Sequence, residues 1–153
     1  MIGDRGGRYE RIYEQLRELM DGGSPSLCAA MSTVCAVLHA KMPHHLWTGF
    51  YLVAGDELHV GPYQGPLACQ VLRDGGVCLR AVATRAAVIV PDVAAFPGHI
   101  PCDKRARSEI AIPVLKDRDV VAVFDVDSSQ LAQFTRDDVA PLERILGLLT
   151  PHL

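Results

Sequence analysis

Glu109-Ile110-Ala111-Ile112-Pro113-Val114-Leu115-Lys116-Asp117-Arg118-Asp119-Val120-Val121-Ala122-Val123-Phe124-Asp125-Val126-Asp127 holds two apolar, β-branched runs around a short polar turn. Glu109 to Leu115 and Val120 to Val126 read as strands of a hairpin closed across Lys116 to Asp119. Upstream, Trp47 to Val53 is aromatic and β-branched, and Glu57 to Tyr63 follows across Ala54-Gly55-Asp56, which predicts a second hairpin. Tyr9 to Met20 places Ile12, Tyr13, Leu16, Leu19 and Met20 at the spacing of an amphipathic helix, ended by Asp21-Gly22-Gly23. Ser24-Pro25 supplies a cap with proline at the first helical position, so a second helix is expected to about Lys41. At the other end, Thr135 and Asp138 form a capping-box pattern that opens a helix over 135–150, striped by Val139, Leu142, Ile145, Leu146 and Leu149. Pro141 predicts a local kink or a later start of that helix. Hairpins bracketed by helices make an α+β domain, an antiparallel sheet covered by helices.

Between the hairpins the pattern thins. Gln64 to Val77 is punctuated by Gly65, Pro66, Gly75 and Gly76 and reads as loop. A short helix is expected from Cys78 to Ala87, and a brief strand from Val88 to Val90 stops at Pro91-Asp92. From there to Arg107 little periodicity remains, and a loop of that length in a compact domain is usually functional.

A chain of 153 residues fits one domain over 1–153 with a core that needs neither disulfides nor metal to form. The net charge of −3 offers nucleic acid and anionic membrane no electrostatic attraction. No run approaches the roughly 18 apolar residues of a membrane helix. Met1 to Arg17 is charged and lacks the apolar stretch of a signal peptide, which points to the cytoplasm. There, cysteines rest reduced and a disulfide is more often catalytic than structural; an odd count of five agrees.

Cys102 lies in Phe96-Pro97-Gly98-His99-Ile100-Pro101-Cys102-Asp103-Lys104-Arg105-Ala106-Arg107-Ser108-Glu109, a polar loop just ahead of a strand. Lys104, Arg105 and Arg107 favour its thiolate, the nucleophilic form. Cys69 and Cys78 stand in loop-like sequence upstream, and either gains a role only if folding brings it to Cys102, where a thiol resolves a sulfenic acid. Cys28 and Cys35, on the apolar face of the second helix, read as core residues. His99 and Cys102 with Cys69 and Cys78 offer four soft ligands, yet structural zinc normally takes two closely spaced pairs and only one is present, so no metal is expected.

Asp125 and Asp127 alternate along a strand and therefore share a face. Solvated turn residues are the plain interpretation. The sharper one joins them to Glu109 on the partner strand as an acidic pocket for a cation. Trp47 and Tyr51 share a strand face too, as core packing or as an aromatic wall. An acidic cluster, an aromatic wall and a reactive thiol suit a small zwitterion with an apolar tail.

Trp47-Thr48-Gly49-Phe50-Tyr51-Leu52, Gly61-Pro62-Tyr63-Gln64-Gly65 with Cys69, Gly76-Val77-Cys78, Pro91-Asp92-Val93, the Phe96 to Glu109 block and Asp125-Val126-Asp127-Ser128 together resemble the free methionine-(R)-sulfoxide reductases, which are stand-alone GAF-domain enzymes. The resemblance implies a GAF fold, with a central antiparallel sheet and helices on both faces. It implies that Cys102 is the catalytic cysteine, that Cys69 resolves it and that Cys78 is auxiliary, with the choice of resolving thiol between Cys69 and Cys78 left open. Glu109, Asp125 and Asp127 become the acidic residues that hold substrate, with Asp125 or Asp127 supplying or relaying a proton, and Trp47 and Tyr51 become its wall. No cofactor is implied; thioredoxin or a similar dithiol, fed by NADPH, is the expected reductant, and a homodimer is plausible. Leu79 stands where the family usually has glycine, and Lys104 and Arg105 where it has small residues. The competing expectation is a GAF module that binds a small ligand without chemistry.

Overall fold

The computed structural model describes residues 4–99 and 101–153. Its centre is a six-stranded sheet. In chain order the strands are β1 (Trp47–Ala54), β2 (Glu57–Gln64), β3 (Val71–Leu72), β4 (Val88–Val90), β5 (Ser108–Lys116) and β6 (Asp119–Ser128). They lie side by side as β3-β2-β1-β6-β5-β4, each pair antiparallel. The two expected hairpins are β1–β2 and β5–β6, and β6 docks on β1 to weld them into one sheet.

Both faces are covered. Helices α1 (Arg5–Leu19), α2 (Leu27–Lys41) and α4 (Arg136–Leu146) share one buried cluster with Phe50, Ile110, Ile112, Ala122, Phe124 and Val126. Phe50 and Phe124 are directly opposed on neighbouring strands, fully buried, with ring centroids 5.2 Å apart. Burying each ring contributes roughly 1.5–3 kcal/mol. The alternate residues of the same strands, among them Trp47, Tyr51, Ala111 and Val123, turn to the other face, where α3 (Val77–Thr84) and the long loops close a second cluster. Burial on both sides explains why β5 and β6 read as unbroken apolar runs.

Local capping sets the helix boundaries. Ser26 accepts from the Ala29 amide at 3.1 Å, so α2 begins two residues beyond the expected Ser24-Pro25 start, with the hydroxyl of Ser26 serving as cap. Thr135 and Asp138 form the full capping box of α4, which starts at Arg136 and continues through Pro141, so the later start is not adopted. Asp138 does more than cap. It is fully buried, accepts from the Thr135 amide at 2.8 Å and the Tyr9 hydroxyl at 2.9 Å, and pairs with Arg5 at 3.0 Å. One carboxylate therefore ties α1 to α4.

Cys35 is buried in the core as expected, but Cys28 is exposed. It sits in the first turn of α2, ahead of Ala30 and Met31 where the helix first becomes fully covered. The expected loop 64–77 contains the two-residue strand β3, held on the edge by β2. The segment after β4 has one short 3₁₀ turn, Val93–Ala95, capped by Asp92.

Candidate active site

The second face of the sheet supplies a row of polar groups. Trp47, Asp127 and Glu109 are directly opposed across β1, β6 and β5, and Gly49, Asp125 and Ala111 form the next row. Asp125 and Glu109 are about 95 % buried or more, and Asp127 lies deep among packed atoms while keeping part of its surface open to the cleft. Above them stands the first turn of α3, whose Cys78 thiol lies 3.9 Å from Glu109 Oε1. The cleft between this floor and the loops has a volume of about 610 Å³ including its open mouth, a size that suits a small ligand.

Of the residues singled out in the sequence, Trp47, Tyr51, Cys78, Cys102, Glu109, Asp125 and Asp127 all line that cleft. Cys69 completes the set through a disulfide to Cys102, its partner 33 positions along the chain, with Cα atoms 5.4 Å apart. The bond spans the β2–β3 loop and the loop before β5. Cys102 remains exposed, whereas Cys78 is buried and bonded to no other sulfur. The four-ligand zinc set considered above is therefore not available, because two of its sulfurs are joined to each other.

The aromatic wall has three rings. Trp47 stacks on Tyr51 at 5.6 Å and on Tyr63 at 5.2 Å. The role of Tyr63 in the wall is not readable from the sequence, because its place in the stack depends on β1–β2 pairing, which puts it opposite Gly49. Gly49 is what lets the rings close up. A Cβ there would lie 2.4 Å from both the Trp47 ring and the Tyr63 Cβ. Gly49→Ala is accordingly expected to destabilise the protein by about 1–3 kcal/mol through overpacking and to displace Trp47, measured as a lower urea midpoint with altered tryptophan fluorescence. Tyr51 also reaches the thiol loop: its hydroxyl donates to the Cys69 carbonyl at 3.1 Å. Gly65 turns that loop at φ +118°, where a Cβ would lie 2.6 Å from the Leu46 carbonyl.

Burial governs the electrostatics. Desolvation, reinforced by the negative charge of its neighbours, pushes Glu109 well above the usual carboxylate range. Asp127 moves the same way, through burial and then the proximity of Asp125 and Asp103. Asp125 is raised to about 6 by burial and is the most readily ionised of the three. Burial followed by the charges of Asp125 and Glu109 drives the Cys78 thiol strongly upward, so it stays protonated. Around Cys102 the expected cationic field is reduced, since Arg105 is bound to Asp103 at 2.8 Å; Lys104 and Arg107 remain exposed.

Two buried polar atoms in the cleft have no partner among the described residues: Trp47 Nε1 and Asp125 Oδ1. The N-terminus of α3 adds donors. Gly76 is its cap residue and provides no side-chain hydrogen bond, leaving first-turn amides over the cleft. The signal for this was legible, a glycine where a helix usually carries serine, threonine or aspartate. Taken together, the cleft offers carboxyls for a cation, the first-turn amides of α3 for an anion, an aromatic wall and a redox-capable thiol pair.

Comparison with known proteins places this arrangement. Residues 10–152 match the GAF domain family. The chain is 37 % identical over 147 residues to the free methionine-R-sulfoxide reductase of Escherichia coli strain K12, covering 91 % of this chain and 88 % of that protein. Its fold superposes with a TM-score of 0.92 on the free methionine-R-sulfoxide reductase of Neisseria meningitidis solved in complex with its substrate, at 35 % identity over 99 % of this chain and 92 % of that one. The reduced form of the Staphylococcus aureus enzyme fRMsr gives a TM-score of 0.89 at 34 % identity, covering 95 % of this chain and 94 % of that one. No described helix is long and apolar enough to cross a membrane. With fold and sequence agreeing along nearly its whole length, the chain belongs to the free methionine-R-sulfoxide reductases, a family of GAF-domain oxidoreductases.

Proposed function

We propose that this protein reduces free methionine-(R)-sulfoxide to methionine through a sulfenic acid on Cys102 and a Cys69–Cys102 disulfide. The observation that carries the reading is that disulfide, at the rim of a cleft floored by Glu109, Asp125 and Asp127. In the reduced protein the Cys102 thiolate attacks the sulfoxide sulfur while a carboxyl protonates the sulfoxide oxygen. That oxygen passes to Cys102, methionine leaves and the sulfur of Cys102 is oxidised to S–OH. Cys69 then attacks, expelling water and forming the disulfide, which a dithiol such as thioredoxin returns to two thiols with two electrons and two protons.

The carboxyls divide the remaining work. Asp125, ionised at neutral pH, pairs with the substrate's α-ammonium and relays protons. Asp127 keeps its proton through burial and serves as the donor to the sulfoxide oxygen. Glu109 completes the ammonium pocket. The α-carboxylate fits the uncapped start of α3, where amides and the helix dipole favour an anion. A methionine sulfoxide within a peptide has neither charged group at that residue, so buried carboxylates and amides are left unpaired, which is costly. Cys69 is the better resolving thiol because Cys78 stays protonated. No metal or organic cofactor is required, and the cytoplasm supplies the reductant.

NADPH consumption in a thioredoxin-coupled assay tests this, with separated free R- and S-sulfoxides and a peptide sulfoxide as substrates. Turnover with the free R form alone is expected. No turnover by folded, reduced protein would favour a ligand-binding module instead.

A further inference from the structure

We propose that Cys78, Glu109 and Asp125 form an inhibitory site for a thiophilic divalent cation of the zinc type. The three residues come from different elements, α3, β5 and β6, and all are buried. One ligand atom from each lies within 4.8 Å of the other two, and Cys78 Sγ stands 3.9 Å from Glu109 Oε1. Tetrahedral zinc, with Zn–S about 2.3 Å and Zn–O about 2.0–2.2 Å, spaces its ligands by roughly 3.3–3.7 Å. Small side-chain rotations therefore close the triangle on a metal.

A second observation points to a cation independently of the spacing. Asp125 is only 4 % exposed; its carboxylate shares hydrogen bonds with Glu109 and Cys78, the two other members of the cluster, and its Oδ1 has no partner of its own among the described residues. Among the described residues, no lysine or arginine pairs with Glu109, Asp125 or Asp127, so any negative charge in the floor is uncompensated. The sulfur decides which cation fits: two carboxylates alone suit magnesium or calcium, whereas the thiolate formed when an incoming metal expels the Cys78 and Glu109 protons to solvent selects zinc, cobalt or cadmium. The cleft leaves the fourth position to water. Neither Cys69 nor Cys102 takes part, so the site persists in the disulfide form.

The consequence for catalysis rests on the proposed function. Asp125 and Glu109 cannot hold a metal and the α-ammonium of substrate together, so metal excludes methionine sulfoxide. The metal is a competitor and not a cofactor.

The test uses the full-length disulfide form, in which Cys69 and Cys102 are already occupied, titrated with Co²⁺. A thiolate-to-cobalt charge-transfer band saturating at one equivalent is expected. It should vanish in Cys78→Ala, and in Asp125→Asn its apparent Kd should rise at least about tenfold. Zn²⁺ should displace the cobalt and Mg²⁺ should not. No band in protein with native circular dichroism, or an undiminished band in Cys78→Ala, would overturn the site. If Cys78→Ala fails to fold, an unchanged Kd in Asp125→Asn overturns it. Free methionine sulfoxide should bleach the band. A band that resists bleaching refutes the inhibitory role while leaving the metal site standing, which separates this inference from the reductase reading.

Discussion

Cys102→Ser is expected to release no methionine, a loss on the order of 10⁴-fold or more, because hydroxyl oxygen is neither ionised at neutral pH nor able to carry the transferred oxygen. Cys69→Ser is expected to behave differently. It should release about one methionine per protein in a rapid burst and then stop, since the sulfenic acid on Cys102 lacks the thiol to which it is bonded in the structure. Quantifying methionine by chromatography without added dithiol, then with thioredoxin, separates the two steps. Sustained thioredoxin-dependent turnover by Cys69→Ser would transfer the resolving role to Cys78 or to direct reduction. Against Cys78 stands its environment, a thiol held in its protonated state beside two carboxyls.

Asp125→Asn is expected to raise KM for the free sulfoxide by about 10–100-fold, the loss of one charge-assisted contact of about 1.5–3 kcal/mol. The same change should stabilise the ligand-free protein. Asp125 is raised by burial to about 6 from an ordinary 3.8, so above about pH 6 the folded state bears the cost of a desolvated charge that the unfolded chain solvates freely. That cost is fully present at pH 8, and it is relieved as pH falls from about 6 towards 4. Asp125→Asn should therefore unfold at a higher temperature than the wild type at pH 8, with the difference shrinking at pH 4. Comparing the two proteins cancels contributions they share. These include His44, which burial lowers to about 4, so that acidification through 6.5 towards 4 destabilises the fold. A variant no more stable at pH 8 would mean that Asp125 is not desolvated as described.

What could be read from the sequence was local. The apolar, β-branched runs Ile110 to Leu115 and Val120 to Val126 and the Thr135–Asp138 box depend on neighbours within a turn or a strand, and both appear as expected. The shared face of Asp125 and Asp127 follows from strand period alone. Roles that depend on distant pairing were less accessible. Only the register of β1 against β2 brings Tyr63 under Trp47, and only the folded loops bring Cys69 to Cys102. The resemblance, not the spacing, singled out Cys69. Cys28 misled because helical phase says which way a side chain points but not whether anything covers it there. Arg105 looked like an activator of Cys102, yet Asp103, two residues away, binds it.

The knot of bonds at Asp138 has a bearing on how the protein would be cut. Its carboxylate serves the start of α4 and, through Arg5 and Tyr9, anchors the first helix. A protease that removed α1 would leave that acid stranded in an apolar interior with only its own helix to satisfy it. The first and last helices thus come loose together: nicking after α1 becomes a wound to α4, on the face of the sheet opposite the chemistry.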